Sequence, residues 1–300
     1  MKPVYLFFIA FVLSLPTVAV EAADELPALL EITEWQVPWG GRPRDPGVAP
    51  DGAVWFCGQE GNYIGRLQPG SGEMRRYAVP AGSHPHNLIV DAQGQVWYAG
   101  NRNAHIGRLD PATGDIRQYA MPESVNDPHT LAFNQQGDIW FTAQFSNVIG
   151  YLDTETGDVR TIPVETPDAR PYGIKMDSDN RPWIVLLGTN RLATVDPGKF
   201  TLQEIELPDD IMRPRRLEID ADDTIWFVDY AGGRLGHYDP TADSFEEWYM
   251  PGGEDGRPYT VRQLHPWHPD LQKALVLEEV QVAIALRLRV VHRMLSGGIA

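Results

Sequence analysis

Two histidines of this chain, His86 and His129, each follow a proline and stand 43 residues apart. Imidazole is the side chain best suited to take a proton near neutral pH, so the pair are candidate catalytic residues. The same position after a proline holds Arg44, Tyr172, Arg215 and Tyr259. Guanidinium groups recognise carboxylates and other oxygen-rich groups, and tyrosines supply flat walls with a polar tip. Repeat positions that merely pack should be apolar and alike; these are polar and varied. The six are therefore expected to converge on one funnel suited to an anionic or carbonyl-rich ligand. A second polar set is expected on the same face: Gln59, Asn101, Arg102, Gln144, Asp229 and Tyr230. Of these, Asn101 and Gln144 are candidate ligand contacts, and the Asp229 carboxylate is the candidate metal ligand. His105 and His237 fall in outer or third-strand contexts and read as solvent-facing or structural. His265, His268 and Asp270 imitate a metal cluster, but Pro266 and Pro269 break the helix that such spacing would need. Cys57, the only cysteine, can form no disulfide within the chain and reads as a buried thiol.

What positions these residues is an internal repeat. Trp55, Trp97, Trp140, Trp183 and Trp226 lie 42, 43, 43 and 43 residues apart. Twelve residues before each stands Pro43, Pro85, Pro128, Pro171 or Pro214. Ten residues after each stands Gly65, Gly107, Gly150, Ala193 or Gly236. Such a period marks a repeat architecture. Each unit reads as four short strands separated by Gly, Asp and Pro turns. A four-stranded blade has two apolar faces, and stacking around an axis buries both. The chain is thus expected to be an all-β propeller of about six four-stranded blades. The segment Ile32–Pro38 matches the outer-strand segments Tyr77–Pro80, Tyr119–Pro122 and Trp248–Pro251. It is expected to supply the outer strand of the last blade and close the ring, because an open edge would be exposed otherwise.

Residues 257–300 fit the repeat poorly. Arg257-Pro258-Tyr259 opens like Arg170-Pro171-Tyr172, yet Asp270 stands where a tryptophan is due. The stretch carries six basic and three acidic groups in a chain whose net charge is −16. Either a shifted reading frame near residue 260 or a degenerate blade accounts for it. The remainder from residue 31 reads as one propeller domain. At the other end, Lys2, the apolar run Val4–Leu15 and the small residues Ala19, Ala22 and Ala23 read as a signal peptide over residues 1–23. The expected location is the periplasm or the exterior, with no integral membrane domain. The acidic balance excludes nucleic-acid binding through phosphates. A monomer is expected.

The stretches Trp97–Gly114 (WYAGNRNAHIGRLDPATG) and Trp140–Gly157 (WFTAQFSNVIGYLDTETG), with Pro85-His86 and Pro128-His129, resemble the repeats of the streptogramin (virginiamycin B) lyase family over about residues 31–260. The intact family pattern allows seven blades. The resemblance implies a carbon–oxygen lyase that opens the ester-linked ring of a cyclic peptide antibiotic by elimination, and hence antibiotic resistance. It implies a His general base, a second His that orients substrate, and Mg²⁺ held by Glu in a W-F-T-E motif. Here the residues three after each tryptophan are Gly58, Gly100, Ala143, Leu186 and Asp229, so only Asp229 offers a carboxylate. The alternative is a non-catalytic periplasmic ligand-binding or scaffold propeller. A lactonase of the gluconolactonase type would need a Glu, Asn and Asp cage, to which only Asn101 and Asp229 could contribute.

Overall fold

The computed structural model describes residues 33–250, 252–263 and 274–277. The signal-peptide segment, Ile32 and the cluster of His265, His268 and Asp270 lie outside the described residues. Five consecutive repeats each fold into a four-stranded antiparallel sheet with neighbours in chain order. Blade 1 holds β1 (Pro43–Val48), β2 (Val54–Gly58), β3 (Tyr63–Gln68) and β4 (Glu73–Ala78). Blade 2 holds β5 (Pro85–Val90), β6 (Val96–Gly100), β7 (His105–Leu109) and β8 (Ile116–Ala120). Blade 3 holds β9 (Pro128–Phe133), β10 (Ile139–Ala143), β11 (Val148–Leu152) and β12 (Val159–Pro163). Blade 4 holds β13 (Pro171–Met176), β14 (Pro182–Leu186), β15 (Arg191–Asp196) and β16 (Thr201–Glu206). Blade 5 holds β17 (Pro214–Ile219), β18 (Ile225–Asp229), β19 (Arg234–Asp239) and β20 (Ser244–Tyr249). A sixth, two-stranded sheet pairs β21 (Thr260–Gln263) with β22 (Ala274–Leu277).

The blades turn about a common axis. The first strand of each lies against the first strand of the next, from β1 through β5, β9, β13 and β17 to β21. Cores lie between blades rather than inside them. Trp55 and Tyr77 of blade 1 pack with Leu88 and Tyr98 of blade 2. Trp97 and Tyr119 pack with Leu131 and Phe141. Trp140 and Ile149 pack with Ile174 and Ile184. Trp183 and Leu192 pack with Leu217 and Phe227. Val228 and Leu235 pack with Val261 of the sixth sheet.

The sixth interface shows what the N-terminal segment does. Residues 33–38 form no strand, and β21 and β22 pair only with each other among the described residues. The expected pairing of this segment in the last blade is therefore not seen there. Its side chains pack instead on blade 1. Trp35, Val37 and Trp39 cover Val54, Phe56, Tyr63 and Leu67 of blade 1. Trp35 lies against Gly72, as Tyr77 lies against Gly114 and Tyr119 against Gly157. Trp35, though not in a strand, thus meets the far turn of the following blade as the outer-strand residues Tyr77 and Tyr119 do.

The small residue ten after each tryptophan has a steric cause. It pairs across the sheet with the residue that follows the tryptophan: Phe56 with Gly65, Tyr98 with Gly107, Phe141 with Gly150, Phe227 with Gly236. Each of those rings lies flat over its glycine, and a Cβ there would overlap the ring. Blade 4 departs at both positions together, with Ile184 opposite Ala193. Gly150→Ala should therefore push Phe141 from its site and cost about 1–3 kcal/mol, the usual penalty for overpacking. Ala193→Gly should cost only about 1 kcal/mol, as for glycine placed in a strand interior. Urea unfolding of the two variants measures the contrast; equal costs would refute it.

Candidate functional site

The inner strands β1, β5, β9, β13 and β17 each begin with a proline, a residue tolerated at the first position of a strand. Within two residues of it the pairing with the second strand slips. Register shifts fall between Arg44 and Gly47, Pro85 and Leu88, Pro171 and Ile174, and Pro214 and Arg216, and opposite His129 and Thr130 in blade 3. A bulge re-aims the side chains it carries. Here, in four blades, it takes in the residue after the proline, and in blade 1 it starts one residue later, at Asp45.

The six residues after the prolines meet in a closed ring. The His86 and His129 rings are 3.8 Å apart, and His129 lies 4.3 Å from Tyr172. Arg215 donates to the Tyr172 hydroxyl at 3.1 Å and stacks 3.7 Å over the Tyr259 ring. Tyr259 in turn accepts from Arg44 at 3.3 Å. The circuit closes through Asp45, whose carboxylate lies 3.8 Å from Arg44 Nε and 3.7 Å from His86 Nδ1. Gln59 and Tyr230 of the second set support the ring: Arg44 donates to Gln59 at 3.0 Å, and Tyr230 lies 4.8 Å beneath Arg215.

The repeat offset missed a second layer, one residue further along each strand. Arg216 reaches across the axis from blade 5. It donates to Thr130 Oγ1 of blade 3 at 3.2 Å and meets Asp45 Oδ2 of blade 1 at 3.4 Å. Thr130 Oγ1 lies 2.8 Å from His129 Nδ1. Thr130 thus links the Arg216 guanidinium to the His129 ring. The available signal was the same as for the first layer, since Asp45, Asn87, Thr130, Gly173, Arg216 and Thr260 also vary in polarity at one repeat position.

Burial and charge set the ionisation of this cluster. His129 is 1% exposed and His86 6%. Burial, with the Arg44 and Arg216 charges, holds His86 well below the ordinary value of 6.5. Burial, then the His86 and Arg216 charges, does the same to His129. Burial disfavours ionisation of Tyr172, but Arg216 and Arg215 outweigh it and draw its pKa down. Both imidazoles are thus neutral at pH 7. The cluster holds three guanidinium groups, from Arg44, Arg215 and Arg216, and the one carboxylate of Asp45, which Arg44 and Arg216 approach.

Family comparison fits this geometry. The model of the virginiamycin B lyase family matches residues 24–265. The chain belongs to the virginiamycin B lyase family. Virginiamycin B lyase from Staphylococcus aureus, in selenomethionine form, is 25% identical, with a TM-score of 0.71 over 77% of this chain and 78% of that one. A catalytically inactive His-to-Ala variant of that enzyme, solved with quinupristin, is 26% identical, with a TM-score of 0.70 over the same shares. Hydrazine synthase from Kuenenia stuttgartiensis shares the fold alone, at 14% identity and a TM-score of 0.62 over 79% of this chain and 74% of that one. No curated protein matches the chain in sequence.

The magnesium that virginiamycin B lyases imply does not fit the donors of this chain's described residues. Asp229 is fully buried at the end of β18, outside the ring. Its Oδ1 accepts the backbone N–H groups of Arg213 at 2.8 Å and Ala231 at 3.2 Å, which spends it on a turn. Its Oδ2 makes no hydrogen bond and is walled in by Gly232. No three His, Cys, Asp or Glu side chains converge as a metal site among the described residues. Magnesium takes an octahedral set of oxygens, and one half-spent carboxylate is not such a set. Gly58 and Gly100, at the same repeat position, are dictated by space: a Cβ there would overlap the rings of Tyr63 and His105. Asn101 turns to the fold, donating to the Pro128 carbonyl at 3.1 Å. Gln144 is half-buried in the loop after β10.

A groove of about 500 Å³ lies at the other end of the strands, between blades 1 and 2, lined by Asp51, Arg66, Arg75 and Gln93. It contains none of the residues after the prolines. No helix among the described residues is long and apolar enough to cross a membrane.

The neutral histidines give a pH signature. Their folded pKa values are depressed, so between those values and about 6.5 the unfolded chain binds more protons than the folded one. Their contribution to stability is complete above about pH 6.5 and is lost as pH falls through the folded values. His129→Gln should flatten the decline of the urea midpoint between pH 7 and pH 5. An unchanged slope would show that His129 is not held neutral.

Proposed function

We propose that this chain is an exported, monomeric propeller of the virginiamycin B lyase family that binds a small carbonyl-rich or cyclic-peptide ligand over its axial cluster, without the family's magnesium-assisted elimination. The observation that carries this reading is the composition of the closed ring. Its only carboxylate, Asp45, is engaged by Arg44, His86 and Arg216, and its two imidazoles are buried against each other. Recognition chemistry is plentiful there, and oxygen ligands for a cation are scarce. That the Staphylococcus aureus relative was solved with quinupristin supports a ligand of that kind on this scaffold.

Elimination needs a base to take the proton next to a carbonyl and a positive group to hold the resulting enolate. His86 and His129 favour this second reading to the extent that both are held unprotonated. Two features weigh against it. An imidazole pushed well below 6.5 is a weaker base than the reaction wants, and a ring with 1% exposure reaches substrate poorly.

Purified protein with Mg²⁺ and quinupristin, followed by mass for ring opening, separates the readings. The expected turnover is at least about a thousand-fold below that of the Staphylococcus aureus enzyme, the scale of losing one electrostatic stabiliser of the transition state. Turnover near that of the relative, abolished by His129→Ala, would replace the binding reading with the catalytic one.

A further inference from the structure

The axial end holds more donors than acceptors. Arg44 Nε, Arg215 Nε and His129 Nε2 are buried and make no hydrogen bond, and His86 Nδ1 is a fourth such atom. Buried polar groups without partners are uncommon and mark places where a ligand, ion or water belongs. Two of these four, the guanidinium Nε atoms, are N–H donors whichever tautomers the histidines adopt. The same cluster carries a surplus of two positive charges in a chain whose net charge is −16.

Asp45 is placed as the counter-charge. Its Oδ2 lies 3.4 Å from Arg216, 3.7 Å from His86 and 3.8 Å from Arg44. Charge-assisted hydrogen bonds close to about 2.7–2.9 Å, so this carboxylate is shared among three donors and fully bonded to none. Its backbone adopts φ 46, in the left-handed region, within the slip of register between Arg44 and Gly47. An aspartate tolerates that conformation better than most residues. The side chain is thereby turned into the cluster rather than along the strand.

We propose that the axial cluster is a carboxylate-binding site whose guanidinium groups are shared, in the free protein, with the chain's own Asp45, and that a ligand carboxylate competes with Asp45 for them. This inference rests on the reading of the axial end as the ligand site, and it names the ligand group and the internal competitor. A planar carboxylate suits the forked donors of Arg44 and Arg215 and the flat walls of Tyr172 and Tyr259. Competition also sets the affinity: the surplus of charge attracts the anion, and Asp45 weakens its hold.

The test uses the full chain, with sodium acetate as probe against sodium chloride at constant ionic strength, read by calorimetric titration. The wild-type protein is expected to bind acetate and to bind inorganic phosphate more weakly. Asp45→Asn keeps the side-chain shape and removes the competing charge, so acetate binding should tighten about tenfold, the scale of removing one like charge near a partly buried site. Arg215→Gln should weaken it by at least about tenfold, the share of one charged hydrogen-bonding partner. If Arg215→Gln fails to fold, Asp45→Asn decides alone. Acetate affinity unchanged in Asp45→Asn, or phosphate binding equal to acetate, overturns the inference. Quinupristin turnover would overturn the functional reading and leave the acetate result standing; absent acetate binding would do the reverse.

Discussion

A four-stranded sheet with two apolar faces cannot bury both by itself. In this chain each interface joins the tryptophan face of one blade to the opposite face of the next, as Trp55 meets Leu88 and Trp140 meets Ile174. No blade has a core of its own, so each is stable only as a member of the array. The glycines under Phe56, Tyr98, Phe141 and Phe227 follow from the same demand. A ring lying flat on its own sheet leaves that face smooth enough for the neighbouring blade. The N-terminal segment obeys it too: Trp35, Val37 and Trp39 cover the face of blade 1 that has no preceding complete blade.

Convergence at the axis is a product of that stacking. Once six inner strands are set side by side, the residues after their prolines must meet. The chain resolves the crowding with flat groups: imidazole on imidazole, imidazole against phenol, guanidinium over phenol. Such contacts fill space without like charges colliding only if the histidines stay neutral, and burial among guanidinium groups keeps them so. Arg216 then ties blades 1, 3 and 5 together from below, through Asp45 and Thr130. The electrostatics and the packing are therefore one arrangement.

Much of this was legible in the sequence because the repeat is strict. The tryptophan and proline offsets located blades, inner strands and the six axial residues, including Tyr259, which lies past the last matching tryptophan. What was not legible depends on contacts across the axis. Arg216 and Asp45 belong to blades 5 and 1, and no offset within one repeat says that they touch. Asp229 stood out as the single carboxylate at its repeat position, yet its oxygen caps the backbone of Arg213 and Ala231. A side chain's polarity shows that it needs a partner, and only the fold shows which. The closing strand was half legible. The sequence match likened Trp35 to Tyr77 and Tyr119, and its side chain does meet a glycine turn as theirs do, whereas hydrogen bonding to the last blade is not seen among the described residues.

The bond from Arg44 to Tyr259 joins residues 215 positions apart, while most other axial contacts link one blade to the next. Blades one to five can therefore add in sequence as an open arc, each step closing only a short stretch of chain. The final step differs in kind, because it must bring the two ends of the arc together at once. The entropic penalty of so long a loop rises only with the logarithm of its length, so the step is slow rather than forbidden. Until it happens, Arg44 at one end of the arc and Tyr259 at the other lack each other as partners. The ring is thus also a clasp: the residues that offer donors at the axis are the ones that fasten the two ends of the arc to each other.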